Sequence, residues 1–431
     1  MPRADDALVG GAGAGAKSPA PAPPRRTFGR RALLTGGAAG VGAALGAGVA
    51  LGVPSLRNAV TPALDAAAAE AMPRTSGAPG FGGERLACHG PHQAGIATVP
   101  AAHAQYLAYR LRPETDLPAL RRMFRILTGD VEGLTSGRGP LADPEPELAA
   151  RPARLSITVG VGPDLVDRVA PALRPTWLAP LPAFSRDRLS GAFDGGDLLL
   201  LLQADDPLPI AHAQRMLDRD LASFVEPLWN QRGFRQARGA EGDGTTMRNL
   251  MGQVDGTVNP APADPDFAEL VWFGDEADWL AGGSALVVRR IRMELDTWDQ
   301  VDRPGREQAV GRRLSDGAPL TGGDERSPAD FEARNELGLT VIPMAAHIRR
   351  ARSTDPGERI FRQAVNYLDG DEAGLIFGCY QRDPLRQFVP IQRRLDDMDM
   401  LNQWITHVGS AVFAILPGFE PGGTLGETLT A

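Results

Sequence analysis

In Gly252-Gln253-Val254-Asp255-Gly256-Thr257-Val258-Asn259-Pro260, an Asp-Gly pair is followed by Thr and closed by Asn-Pro. Asp and Asn side chains bond back to nearby backbone, Gly accepts positive φ and Pro fixes φ, so the stretch is a tight turn. Most Asp-Gly turns only reverse the chain. This one falls shortly after residue 244, where the pattern of strands and helices begins a second time.

Upstream of the turn, Gly95-Ile96-Ala97-Thr98-Val99 has the apolar, β-branched character of a strand. Leu117, Leu120, Met123, Phe124 and Leu127 follow helical spacing. Leu155-Ser156-Ile157-Thr158-Val159 alternates as a half-buried strand does, and 198–202 is a continuous apolar run suited to a central strand. Helical periodicity returns over 210–224, and 228–234 closes the first series. Downstream, 285–291 predicts a strand, 306–314 a helix, 375–380 a strand, 388–395 a helix and 408–416 a last strand. Two such series without strict βαβ alternation point to α+β architecture, with antiparallel sheets and helices covering one face of each. The expected division is 1–71 as a disordered N-terminus with a signal peptide, 81–244 as one domain and 245–431 as a second.

The 431 residues are 43% hydrophobic and 23% charged, as in soluble globular proteins. A formal net charge of -8 argues against a nucleic-acid partner, because phosphate affinity comes from clustered positive charge. Lys17 is the sole lysine, so an arginine here says little by being an arginine. Two cysteines, Cys88 and Cys379, cannot build a disulfide framework, and no CxxCH exists for covalent haem attachment. Cys88, His89 and His92 imitate half of a zinc site, but no second half follows.

The first 24 residues are low-complexity Ala, Gly and Pro, which bury too little apolar surface to offset chain entropy. Arg25-Arg26-Thr27-Phe28 then resembles the core of a twin-arginine export signal. A glycine-rich apolar stretch follows, and Ala69-Glu70-Ala71 has the form a signal peptidase accepts. The stretch 32–53 is about the length of a membrane span, roughly 20 residues. Its glycines and alanines suit a cleaved leader better than an anchor.

Further segments fall in register with the Asp-Gly turn. They are Pro91-His92-Gln93-Ala94-Gly95-Ile96, Met344-Ala345-Ala346-His347-Ile348-Arg349, Ile360-Phe361-Arg362-Gln363-Ala364-Val365-Asn366-Tyr367, Gly374-Leu375-Ile376-Phe377-Gly378-Cys379-Tyr380-Gln381-Arg382-Asp383 and the helix-forming 388–395. Together with Gly-x-x-Asp-Gly-Thr, they make the region from residue 81 onward resemble the dye-decolourising haem peroxidases. The resemblance implies two ferredoxin-like domains related to the dimeric α+β barrel, and one non-covalent haem b per chain, held by the second domain.

A lone histidine is more often a surface or satisfied core residue than a ligand, and five of the six here keep that reading. For His347 the resemblance implies the axial ligand of the haem iron. Asp383 is the implied acceptor for its second ring nitrogen. Leu375 and Phe377 are the implied lining of the distal pocket. Asp255 is the implied acid and base for hydrogen peroxide, and Arg362 the implied charge stabiliser. Where many relatives have Gly after that arginine, this chain has Gln363-Ala364. The expected function is peroxide reduction coupled to oxidation of dyes, phenolics or other small organic reductants; Tyr380, Trp404, Trp272, Trp279 and Trp298 are candidate relays to large substrates, but aromatics more often only pack. An exported deferrochelatase-type protein that takes iron from haem, or a haem-binding protein without turnover, stays open as an alternative. Twin-arginine export to an extracytoplasmic location, a homo-oligomer and iron-uptake partners complete the expectations.

Overall fold

The computed structural model describes residues 80–242 and 244–431. The leader motifs at 25–28 and 69–71 lie outside the described residues. Nine antiparallel strands run in chain order: β1 (His103–Leu111), β2 (Ser156–Val161), β3 (Leu198–Ala204), β4 (Val225–Phe234), β5 (Ser284–Met293), β6 (Phe361–Arg362), β7 (Val365–Asp369), β8 (Glu372–Gln381) and β9 (Ile405–Ile415). Four helices carry the argument: α1 (Leu117–Thr135), α2 (Pro207–Leu221), α3 (His347–Ala351) and α4 (Phe388–Met398). Among the described residues no helix is long and apolar enough to cross a membrane.

In the first half the strand order is β4-β1-β3-β2, and in the second β9-β5-β8-β7. Both are the ferredoxin-like order. Pairing of β2 with β9 and of β4 with β7 joins the halves into one closed barrel, with the two-residue β6 laid along β8. Closure leaves no long strand edge to attract another chain.

Strand alternation sorts the side chains into layers. Tyr106, Ala108, Leu199, Leu201, Leu286, Val288, Ile376, Tyr380 and Phe413 share one core drawn from strands of both halves, which is the barrel interior. Leu107, Tyr109, Ile157, Val159, Leu200 and Leu202 point the other way and pack under Leu120, Met123, Phe124, Ile210 and Leu217 of α1 and α2. The run 198–202 is buried on both faces, which is why it reads as continuous leucine rather than alternation. α1 and α2 are each started by an aspartate. Asp116 accepts from Ala119 N–H at 2.8 Å, and Asp206 accepts from Leu208 N–H at 2.8 Å.

One expectation fails locally. Residues 95–99 form turns, not a strand. Gln93 explains this: its carboxamide accepts from Val159 N–H and donates to the carbonyls of Val159 and Leu416, each at 2.8 Å. One side chain thereby meets the edge of β2 that another strand would have covered. The actual first strand is β1, whose burial on both faces hides any period of two.

Asp130 is an exception within α1. Only 5% exposed, its Oδ2 has no hydrogen-bond partner. Burial first, and then the Asp220 carboxylate, push its carboxyl up to about 7, with Arg219 opposing. A raised acid pKa means that the folded state resists ionisation, so stability falls as pH rises from the unfolded value near ~3.9 through 7. Asp130→Asn is expected to stabilise the protein by about 2 kcal/mol at pH 8 and by little at pH 4. Thermal melts at the two pH values check this; a pH-independent difference would refute it.

Candidate functional site

The Asp255 turn is a small hairpin. Met247 carbonyl accepts from Asp255 N–H at 2.8 Å, and Arg248 bridges to Val254 in antiparallel register. Gly252 and Gly256 occupy positive φ, 81° and 129°, where a side chain would be strained. Asn249 braces the loop from within: its Oδ1 accepts from Met251 and Gln253 N–H, and its Nδ2 donates to Asp255 Oδ2 at 3.2 Å. The Arg248 guanidinium spans the carbonyls of Gly252, Leu314 and Ser315.

Arg362 ends β6, and its Nη1 donates to Asp255 Oδ1 at 3.3 Å. Both side chains keep part of their surface open, 24% for Arg362 and 19% for Asp255. Asn259 couples the two segments. Its Nδ2 donates to the Arg362 carbonyl at 2.9 Å, and its Oδ1 accepts from Arg362 N–H at 2.7 Å. Close by, Thr246 and Thr257 both donate to Glu325 Oε1, at 2.6 and 3.0 Å. The withdrawn Arg312, which burial holds below the usual arginine pKa, lies within electrostatic reach of Arg362.

His347 is the first residue of α3, the short helix that follows Pro343. Its Nδ1 donates to Asp399 Oδ2 at 2.6 Å. Asp399 is 1% exposed in its side chain, and its Oδ1 caps the next turn by accepting from Leu401 N–H at 3.0 Å. Burial pushes the His347 pKa down, but the Asp399 charge and hydrogen bond outweigh it, and the net shift is upward. Asp255 adds to that rise and Arg362 opposes it, so all three sites lie within electrostatic reach of one another.

Asp383 does not take the part expected of it. Its N–H donates to Gln387 Oε1 and its Oδ1 accepts from Leu385 N–H, so it is a turn residue ahead of α4. Asp383 precedes α4 and Asp399 follows it, and the 11 residues of that helix separate them by roughly 16 Å. The carboxylate at the far end is the one that meets the imidazole.

Leu375 and Phe377 lie on the outward face of β8 and join an apolar cluster with Met247, Met251, Ala364 and Ile348. That cluster links the Asp255 hairpin to the His347 helix. The other histidines are held elsewhere. His92 stacks on Trp272 at 4.0 Å and donates to Gly282 carbonyl at 2.7 Å; His212 pairs with Asp143 at 2.7 Å and His89 with Glu132 at 2.8 Å. Both cysteines are free and buried. Of the proposed relays, Tyr380 has a buried hydroxyl without a partner, and Trp404 meets Trp298 edge to face at 5.1 Å. Two cavities elsewhere, one beside Arg188 and Arg290 and one beside Tyr106 and Arg235, are not lined by Asp255, His347 or Arg362.

Among the described residues no group of three His, Cys, Asp or Glu side chains could hold a metal ion by itself. One imidazole with its Nδ1 anchored leaves only Nε2 to bind, which suits an iron whose other ligands come from a macrocycle. The donor set therefore fits haem. Asn259 and Asp399 were missed from the sequence. Asn259 sits inside the quoted turn, four residues past Asp255, and that spacing was the available signal for it.

Residues 93–235 match the family model "Dyp-type peroxidase, N-terminal", and residues 246–420 match "Dyp-type peroxidase, C-terminal". The dye-decolorizing peroxidase of Thermobifida fusca is 42% identical over 293 residues, 64% of this chain and 68% of that protein. The deferrochelatase of Escherichia coli K12 is 30% identical over 364 residues, 78% of this chain and 85% of that one. The crystal structure of a DyP-type peroxidase from Cellulomonas bogoriensis superposes with a TM-score of 0.79 at 46% identity, covering 82% of this chain and 99% of that one.

If Asp399 orients the His347 ring, Asp399→Asn should weaken haem retention about tenfold. Transfer of haem to apomyoglobin, followed at the Soret band, measures this. Wild-type transfer kinetics in the variant would remove Asp399 from that role.

Proposed function

Because the chain belongs to the Dyp-type peroxidase family and is a haem-dependent peroxidase, we propose that His347 supplies the axial nitrogen, Asp255 moves the peroxide proton and Arg362 holds the developing charge. Hydrogen peroxide is the oxidant and organic molecules are the reductants. The observation that carries the assignment is the contact between Asp255 and Arg362, 3.3 Å apart, within electrostatic reach of an imidazole anchored on Asp399.

When bound, the haem supplies the iron at which the O–O bond is cleaved and the store of oxidising equivalents that reductants later discharge. The protein manages the protons. Asp255 accepts one from the peroxide oxygen and returns it to the departing oxygen, which leaves as water. Asn249 holds Asp255 Oδ2, so the carboxylate keeps one orientation while Oδ1 faces Arg362. Arg362 stays charged throughout and has donors to spare, so it stabilises negative charge without competing for the proton. Leu375 and Phe377, in the apolar cluster that joins the Asp255 hairpin to the His347 helix, would limit water at that junction.

Relatives named deferrochelatase, at 30% identity, support a second reading in which iron is released from haem. Dye oxidation by peroxide, set against formation of metal-free porphyrin under reducing conditions, separates the two. We further propose that the chain leaves the cytoplasm by the twin-arginine route, on the strength of Arg25-Arg26-Thr27-Phe28 and the small residues that follow. That route carries folded proteins, which suits a chain that acquires its cofactor first.

Asp255→Asn should slow the reaction with hydrogen peroxide by about 10²–10⁴ while leaving the resting haem spectrum intact. Stopped-flow absorbance checks this, and an unchanged rate would refute the acid–base role. Replacing Arg25 and Arg26 together by Lys should retain the protein in the cytoplasm. Fractionation of cells checks that, and continued export would exclude the twin-arginine route.

A further inference from the structure

Thiolates and thioethers are the side chains most open to oxidation in a protein that handles peroxide, and exposure decides which of them react. Both cysteines are buried, and burial pushes both thiols above their usual pKa, so neither offers a thiolate. Met123 and Met216 are buried in the core beneath α1 and α2. Met247, Met251 and Met293 are buried in the apolar cluster beside the Asp255 hairpin, and Met400 is half-buried against it. Met344 and Met398 differ. At 56% and 50% exposure, they are the two exposed methionines among the described residues. Methionine is ordinarily an interior residue, so two open ones near each other in the fold call for a reason.

Both flank the pair that would hold the haem. Met344 stands three residues before His347, and Met398 ends α4 immediately before Asp399. The two segments are joined twice. His347 Nδ1 donates to Asp399 Oδ2 at 2.6 Å, and Met400 N–H donates to Ala345 carbonyl at 2.9 Å. Neither exposed thioether takes part in an apolar cluster of the described residues, so making it polar disturbs no packing. A sulfoxide at Met247, Met251 or Met293 would instead put a polar group into the cluster that links the Asp255 hairpin to α3.

We propose that Met344 and Met398 are modification sites that serve as internal reductants. When organic reductant runs out, each is oxidised to the sulfoxide and spares the buried methionines and the His347 anchor. Hydrogen peroxide, the oxidant of the peroxidase reaction, takes up two electrons at the haem. The thioether replaces those two electrons, bonds to the oxygen of a water and releases the two protons that complete the reduction. One thioether and one hydrogen peroxide thus give one sulfoxide and one water. The proposal rests on the peroxidase reading for its oxidant, and on no role given to Asp255 or Arg362.

The test uses the full, haem-loaded ferric chain, given a few equivalents of hydrogen peroxide without reductant. Peptide mass spectrometry then maps the sulfoxides, and Met344 and Met398 should carry about tenfold more than Met247, Met251 or Met293. Cyanide bound at the haem, or an organic reductant in excess, should suppress both. The double variant Met344→Leu, Met398→Leu should lose its Soret band after about two fewer equivalents of peroxide than wild type. Leucine preserves volume and apolar character and lacks sulfur, so the variant removes only the reductant. Sulfoxide spread evenly over the methionines, or formed equally with cyanide present, would overturn the proposal. So would an unchanged bleaching dose in the double variant. Asp255→Asn reacting at the wild-type rate would refute the peroxide-facing pair and leave the sulfoxide map as it is, so the two readings fail separately.

Discussion

Two hydrogen bonds between the Asn259 carboxamide and the backbone of Arg362 hold the candidate site together. They join segments 103 residues apart in sequence. The ion pair that they bring into register could not do this alone. Asp255 and Arg362 are both partly exposed, and an exposed ion pair gains little over its solvated partners. A side-chain amide that satisfies one N–H and one carbonyl of the same residue mimics a strand neighbour, so it fixes direction as well as distance. The carboxylate and guanidinium then face one space because their backbones are paired, with their mutual attraction as a minor addition.

The same logic applies at His347. Asp399 binds the imidazole with one oxygen and caps a helical turn with the other, so the ring is oriented by a residue that is itself locked. A chain of constraints thus runs from the backbone through Asp399 to the one ring nitrogen left to bind iron. Loose placement at either end would loosen the ligand.

The barrel explains why the site lies where it does. Its halves share one strand order, but their outer faces have diverged. In the first half that face is sealed by α1 and α2 over leucines and aromatics, which makes it a scaffold. In the second, the outward residues Leu375 and Phe377 meet the Asp255 hairpin and the start of α3. Irregular segments there can supply polar side chains that helices packed flat on a sheet could not. The interior core, shared by strands of both halves, binds the two faces into one body.

Most elements were legible in the sequence: helical spacing marks α1 and α2, and apolar or β-branched runs mark β2, β5, β8 and β9, although β2 and most of β5 and β8 are buried on both faces. The Asp-Gly turn was legible because backbone strain at Gly252 and Gly256 restricts residue choice locally. The reading failed at β1, where Gln105, Tyr106 and Tyr109 are buried among its apolar residues, and at 95–99, where Gln93 stands in for a strand. The choice of Asp399 over Asp383 was likewise beyond the sequence. Both carboxylates flank α4, and nothing along the chain tells which end of that helix meets His347. Local chemistry therefore determined which residues could turn, cap, bind or ionise. Only the folded chain decided which of them meet, because hydrogen bonds and ion pairs depend on separations through space that the order of residues does not encode.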